Sequence, residues 1–406
     1  MSTPPPLPLS GSDADQPGDA LAVWLLAVGQ TLGYASLYYS FGALLVAVGD
    51  ETGWSKGQMA LGLTLSLICA ALSSPLTGRL VDRGRGVELL AGGAILGGLC
   101  LLTIAQARSL WQWYLAWIIV GPAMAASLYE TCFAFLTRRL GSAARPAIIR
   151  VTLVAGLAST LAFPLGASLS SLAGWRWAFS AFAGLELLVA APVMIYAGIR
   201  LRRRERAGAA PPPQSRDALR RALGQARFWL LALGFGLAWM NHSMLVTYFI
   251  PLFTGLGVSA SLAVAAAATV GPFQVVGRIT LMLLDARAPA LLATRTGFAM
   301  QAAAALILLM AGAAPMLVFL FAVAQGSAIG ILSILRPVLI AEVMGRDGFG
   351  AISGAIAMGP LLANAAAPVT GAFLLGLGGP VALVFGALAM AAVGLGLMLM
   401  VRSRAA

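Results

Sequence analysis

Residues 87–105 read Val-Glu-Leu-Leu-Ala-Gly-Gly-Ala-Ile-Leu-Gly-Gly-Leu-Cys-Leu-Leu-Thr-Ile-Ala, a run whose one charge, Glu88, stands at its start. As an α-helix it would rise about 28 Å, close to the thickness of a bilayer's hydrocarbon core. Barrel strands are about ten residues long and alternate apolar with polar, which this stretch does not. Eleven more stretches read the same way. Their limits are Leu21 to Val48, Gln58 to Leu76, Trp111 to Leu136, Val151 to Leu172 and Trp177 to Ile199 before a polar break. After it come Phe228 to Phe253, Leu262 to Leu284, Ala290 to Ala311, Met316 to Ile340, Phe349 to Leu375 and Val381 to Val401.

The composition agrees. Of the 406 residues 60% are apolar and 10% charged, whereas a soluble domain carries roughly 25% charge to cover its surface. An all-α membrane protein of twelve transmembrane helices is the expected class. The net charge of +12 does not signal a nucleic-acid partner, because the cations gather in short connections between apolar stretches. Lys56, Arg108 and Arg176 fall on one side of the membrane, and, leaving aside Arg278, Arg295 and Arg336 inside the stretches themselves, the other 20 of the 26 cations fall on the opposite side. Cation-rich connections face the cytoplasm, so both termini are expected there, in a cytoplasmic (inner) membrane. Cys69, Cys100 and Cys132 all lie inside apolar stretches and read as small core residues.

The chain divides into a polar tail (1–20), six spans (21–199), an Arg- and Pro-rich linker (200–227), six further spans (228–401) and a short tail (402–406). The halves echo each other at a spacing of 204 residues: Gly53 and Ser55 recur as Gly257 and Ser259, Gly141 as Gly345, Pro164 as Pro368, Gly174 as Gly378. Five matches on one offset argue for a duplicated six-helix unit.

Between the second and third spans stands Gly78-Arg79-Leu80-Val81-Asp82-Arg83-Gly84-Arg85, with a fainter copy at Leu283-Leu284-Asp285-Ala286-Arg287. The first resembles the loop signature of the major facilitator superfamily (MFS), shortened by one residue, and Gly174-Trp175-Arg176-Trp177-Ala178-Phe179 is also typical of that group. The resemblance implies two pseudo-symmetric six-helix bundles around a cavity lined by the first, fourth, seventh and tenth helices. It also implies that Gly78, Asp82 and Arg83 belong to a conformational gate. More weakly, Arg278 in the eighth span and Arg336-Pro337 in the tenth resemble the monocarboxylate and oxalate/formate branch, although the eleventh span lacks the Lys of oxalate exchangers.

Charges retained inside a membrane span cost about 2.5 to 3.5 kcal/mol each on the insertion scale, so their positions select candidate site residues. Glu130 and Arg336 sit at matching depths on repeat-related helices, predicting a charge pair or shared ligand site, with Glu130 as the proton-coupling group. Arg336 snorkelling to the interface is the bland alternative. Arg278 suits a carboxylate held by a bidentate fork, or else a gate ion pair. His242, the single histidine, suits a proton relay or, in preference, a substrate or packing hydrogen bond to Asn241 or to Tyr38, its repeat partner, and all three are placed among the candidate substrate contacts. Glu186 is expected outside the cavity as a neutral, hydrogen-bonded carboxyl.

Asp82 is placed to accept from the N-terminus of the eleventh helix near Gly348 to Gly350, latching the cytoplasmic side. A phosphate loop, a paired-His motif and a nucleophile set built on the single His are all missing from the sequence, so neither an enzyme nor an ATP-driven pump is expected, and no cofactor or metal. The expectation is a secondary transporter of a small organic solute, an organic anion or monocarboxylate, working by alternating access, with protons as the coupling partner and a monomer as the working unit. A proton-driven exporter of drugs or metabolites, and a non-transporting membrane sensor of the same fold, stand beside it.

Overall fold

The computed structural model describes residues 17–207, 217–284 and 289–402. The first sixteen residues, the Pro-rich part of the linker, the Asp285-Ala286-Arg287 portion of the fainter loop copy and the last four residues lie outside it. Among the described residues the structure is all helix.

Ten helical runs are long and apolar enough to cross a membrane. Eight are single spans: α1 (Ala20–Thr52), α2 (Lys56–Asp82), α3 (Gly86–Ala105), α4 (Leu110–Leu140), α7 (Ala226–Gly255), α8 (Ala260–Leu284), α9 (Ala290–Leu309) and α10 (Leu317–Met344). The other two, Ala144–Arg202 and Phe349–Met400, are 59 and 52 residues long, each too long for one crossing. Both contain non-helical backbone where the second span begins, at Ala173–Gly174 and at Gly378–Gly379. They supply α5 (144–172), α6 (175–202), α11 (349–377) and α12 (380–400), which completes the twelve.

The end of the bundle that carries the loop 83–85 and the α4–α5 connection is here called basal, and the opposite end apical. The repeat is visible in the backbone itself. Gly53 and Gly257 close α1 and α7 with φ of +70° and +87°, and Gly141 and Gly345 follow α4 and α10 with φ of +57° and +87°. Residues other than glycine are disfavoured at such angles, so the turn chemistry was duplicated with the fold.

Several helices run past the apolar stretches that betray them. α2 continues beyond Leu76 to Asp82, α4 beyond Leu136 to Leu140, and α5 starts at Ala144, ahead of Val151. The additions are basal turns carrying Arg79, Arg138, Arg139 and Arg145, where water and headgroups rather than hydrocarbon surround the helix. α1 and α6 each contain one π-helical turn, at Ala35–Tyr39 and Glu186–Ala190.

α4 is not one continuous helix. Leu128, with φ −89° and ψ −162°, interrupts it between Ser127 and Tyr129. Inside a membrane the backbone groups freed by such a break need partners. Gln30 of α1 donates from Nε2 to Ser127 O at 2.7 Å, and Thr131 Oγ1 donates to Ala125 O at 2.7 Å. The break places Tyr129 and Glu130 in the first turn of a new helical segment at mid-depth.

The halves join basally through α2 and α11. A Cβ on Gly78 would lie 1.9 Å from Gly350 O, and one on Gly354 would lie 2.2 Å from Ser74 O. Only glycine lets the two backbones come this close.

Candidate functional site

A cavity of about 240 Å³ lies between the halves at mid-depth. Its walls come from α1, α2 and α4 on one side and α7, α8, α10 and α11 on the other. The implied set of α1, α4, α7 and α10 is therefore present, joined by α2, α8 and α11.

Glu130 and Arg336 meet across this cavity: Arg336 Nη2 donates to Glu130 Oε1, and both side chains are largely buried. Arg336 therefore does not snorkel. Its guanidinium also lies over the Trp239 ring, 5.2 Å from the centroid, so one face of the cation is shielded by π-density while its edge is paired with a carboxylate. Removing one member of such a buried pair leaves the other uncompensated, at a cost of about 3–5 kcal/mol.

Arg278 lines the same cavity and is 7% exposed. Its Nη1 donates to Thr152 O on α5 at 3.1 Å, while its Nε is buried with no hydrogen-bond partner. The bond to a carbonyl orients the guanidinium but does not neutralise it. The sequence offered a gate ion pair as one alternative for Arg278; what the structure gives it is a backbone acceptor across the seam between the halves. Gly156 makes room for it, since a Cβ there would stand 2.0 Å from Arg278 Nη1.

Tyr38 and His242 both line the cavity, and His242 Nδ1 is buried without a partner. Asn241 does not join them. It is fully buried, its Nδ2 donates to Ala387 O at 2.8 Å, and its Oδ1 accepts from Gln325 Nε2 at 2.9 Å. Adjacent residues on a helix point about 100° apart, so with His242 facing the cavity Asn241 faces the α10–α12 packing. It is a joint between three helices rather than a solute contact. Glu186 is fully buried and outside the cavity lining, but neither carboxyl oxygen has the hydrogen bond expected of it.

Residues not singled out from the sequence complete the wall, notably Tyr34, Tyr39, Tyr129, Trp239, Gln274 and Ser333. The Tyr34 and Tyr129 rings sit 4.4 Å apart, and Tyr129 stacks on Phe133 at 4.7 Å. Helical spacing held the signal: Tyr34 precedes Tyr38 by four positions and Trp239 precedes His242 by three, placing each pair on one face. Asn364 also lines the wall and accepts a hydrogen bond from Ser243 Oγ.

Below the cavity, Asp82 closes the basal seam. Its Oδ1 accepts from Gly350 N and its Oδ2 from Ala351 N, each at 2.8 Å. Both donors belong to the first turn of α11, whose dipole favours a carboxylate. Gly78 provides the close approach one turn away. Arg83 caps α2 with its backbone N–H, donated to Arg79 O at 3.1 Å, and its side chain is exposed.

Two six-helix bundles in pseudo-symmetric relation, closed at one end and enclosing a polar, aromatic cavity at mid-membrane depth, define a transporter architecture. The sequence profile of the Major Facilitator Superfamily matches residues 26–368, and the chain belongs to that family. A solved structure described as an MFS transporter, FucP, in the outward conformation is similar over 95% of this chain and 99% of that one, with a TM-score of 0.67 and 13% sequence identity. At that identity the likeness shows the fold alone. Among curated proteins no match was found.

Proposed function

We propose that this protein is a secondary transporter that carries a small organic anion with a single carboxylate by alternating access, coupled to protons through Glu130. The observation that carries this reading is Arg278, a buried guanidinium on the cavity wall whose hydrogen bond is to a neutral carbonyl. Three ionisable charges line the cavity, Glu130, Arg278 and Arg336; two positive and one negative leave a net charge of +1. One carboxylate on the solute balances it. The unpartnered Nε of Arg278 is a donor awaiting an acceptor, and a guanidinium edge suits a carboxylate held by two bonds. His242 and Tyr38 supply neutral hydrogen-bonding positions nearby. The ring faces of Tyr129 and Trp239 favour a solute with a flat or apolar body over a strongly hydrated one.

Proton coupling follows from the Glu130–Arg336 pair. Protonating Glu130 removes the charge holding Arg336 and frees a second guanidinium for the solute. A proton and a monoanion entering together add no net charge, so the load that crosses is itself electroneutral. Asp82 and the α2–α11 seam would hold the basal side shut while the cavity loads from the apical side. With the cation-rich basal end facing the cytoplasm, loading occurs from outside the cell.

Uptake of a labelled monocarboxylate into proteoliposomes tests the reading. Uptake is expected to rise when the outer medium is made acidic relative to the lumen, and Glu130→Gln is expected to abolish that dependence. Unchanged gradient dependence in the variant would remove Glu130 from coupling. Transport of normal selectivity by Arg336→Gln would remove that residue from the site.

A further inference from the structure

The least satisfied polar group in the first half lies outside the transport cavity. Glu186 is 0% exposed, and both of its carboxyl oxygens lack a hydrogen-bond partner. It opens the π-helical turn of α6. That turn packs against α1 and α3. On α1 the contact is at Gly33, where a Cβ would lie 3.7 Å from Glu186 Oε1 and 2.9 Å from Leu128 Cδ2. The carboxyl therefore shares one patch of α1 with the residue that breaks α4.

The titratable side chains on the elements around it provide no cation at this patch. On α1 there is Tyr34, whose ring turns to Tyr129 and the cavity. On α3 there are Cys100, a buried thiol, and Glu88, which pairs with Arg202. On α4, Glu130 is held by Arg336. α6 contributes Arg176, which pairs with Glu51 at 3.2 Å, more than two turns apical of Glu186, and Tyr196, Arg200 and Arg202, of which Arg200 donates to Tyr196 at 3.0 Å, more than two turns basal of it. An ionised carboxylate with neither counter-ion nor hydrogen bond is not tolerated in such surroundings, so this arrangement holds the neutral acid.

A neutral carboxyl has an O–H that needs an acceptor. Gln30 stands one turn from Gly33 on the same face of α1. Its Nε2 is committed to Ser127 O, and its own Oε1 is buried and unpartnered. An unpartnered carboxyl at Gly33 and an unpartnered amide oxygen at Gln30 thus occur one turn apart along α1. The π-turns that follow Tyr34 and begin at Glu186 are local irregularities of the kind that often accompany functional sites.

We infer that Glu186 forms a proton site outside the transport cavity, filled while the basal seam is closed and emptied when the contact of α1 with the α4 break loosens. The link to the cavity is mechanical: Gln30 holds Ser127 and Gly33 abuts Leu128, so any change in the α4 break that moves Glu130 disturbs the cover over Glu186. A group that binds its proton more tightly in one state biases the equilibrium toward that state as pH falls. Acid therefore favours the basal-closed arrangement, and the effect is independent of which solute the cavity takes.

The test uses the full chain in nanodiscs, with spin labels reporting the basal distance between α2 and α11 across a pH series, in the absence of solute. The wild type is expected to shift toward the short distance as pH falls. Glu186→Gln, which mimics the protonated form, is expected to stay short at every pH. A wild-type pH response in Glu186→Gln, or no response in the wild type, would overturn the inference. Should Glu186→Gln fail to fold, infrared spectra of the wild type and of Glu130→Gln decide: a protonated-carboxyl band that persists in Glu130→Gln supports the site, and loss of the band there assigns it to Glu130 instead.

Discussion

Arg278 is the residue on which the reading of the cavity turns, because its charge faces the cavity while its hydrogen bond goes to the carbonyl of Thr152. Charge-assisted hydrogen bonds contribute about 1.5–3 kcal/mol, so Arg278→Gln is expected to weaken monocarboxylate binding roughly 10- to 150-fold by calorimetry. Arg278→Lys is expected to rescue it only in part, since an ammonium cannot reproduce the planar fork. Equal affinity in wild type and Arg278→Gln would take the residue out of the site. Arg278, Arg336 and Glu130 were legible in the sequence for one physical reason: each is a charge inside an apolar stretch, where retention has a cost. Trp239 and Tyr129 were not, because an aromatic residue in a span costs nothing and reads the same whether it lines a cavity or fills a core. For Asn241, placed as a substrate contact with packing as the alternative, the hydrogen bonds to Ala387 and from Gln325 match the packing alternative, because adjacency to His242 in sequence is not adjacency on a helix face.

At the scale of elements, the α2–α11 seam is where the sequence and the geometry speak most directly to each other. Asp82 was expected to meet the N-terminus of the eleventh helix, and the bonds to Gly350 and Ala351 realise that contact. Asp82→Asn keeps the shape but loses the charge. It is expected to weaken the closed seam by about 1–2 kcal/mol, since a carboxylate at a helix N-terminus contributes at most about that much. Gly78→Ala should do more, because its methyl would meet Gly350 O at 1.9 Å and the helices must separate; overpacking of this kind costs about 1–3 kcal/mol. Both variants should increase thiol labelling of a cysteine placed on the cavity wall when reagent is added from the basal side. Labelling equal to that of the parent would show that the seam is not a barrier. The break at Leu128 was not legible. Proline and glycine are absent from 127–129, and what sustains the interruption is Gln30, almost a hundred residues earlier, together with Thr131.

For the whole molecule, the duplication was the strongest feature of the sequence after its apolarity, and the positive-φ glycines of the two halves confirm that it extends to backbone conformation. Apolar runs marked the spans but not their ends, because helices continue into the interface where hydropathy no longer reports on them. The cavity could not be located from spans alone: it exists only where the halves fail to touch, between the Asp82 seam and the apical end. The central claim is that these halves move a monoanion past Arg278 by exchanging access between the two ends. Counterflow tests it most directly: proteoliposomes loaded with an unlabelled monocarboxylate are given a trace of the labelled acid outside. The account predicts transient accumulation of label by the wild-type protein and none by Arg278→Gln. Binding of the acid without accumulation, or accumulation by Arg278→Gln equal to wild type, would contradict it.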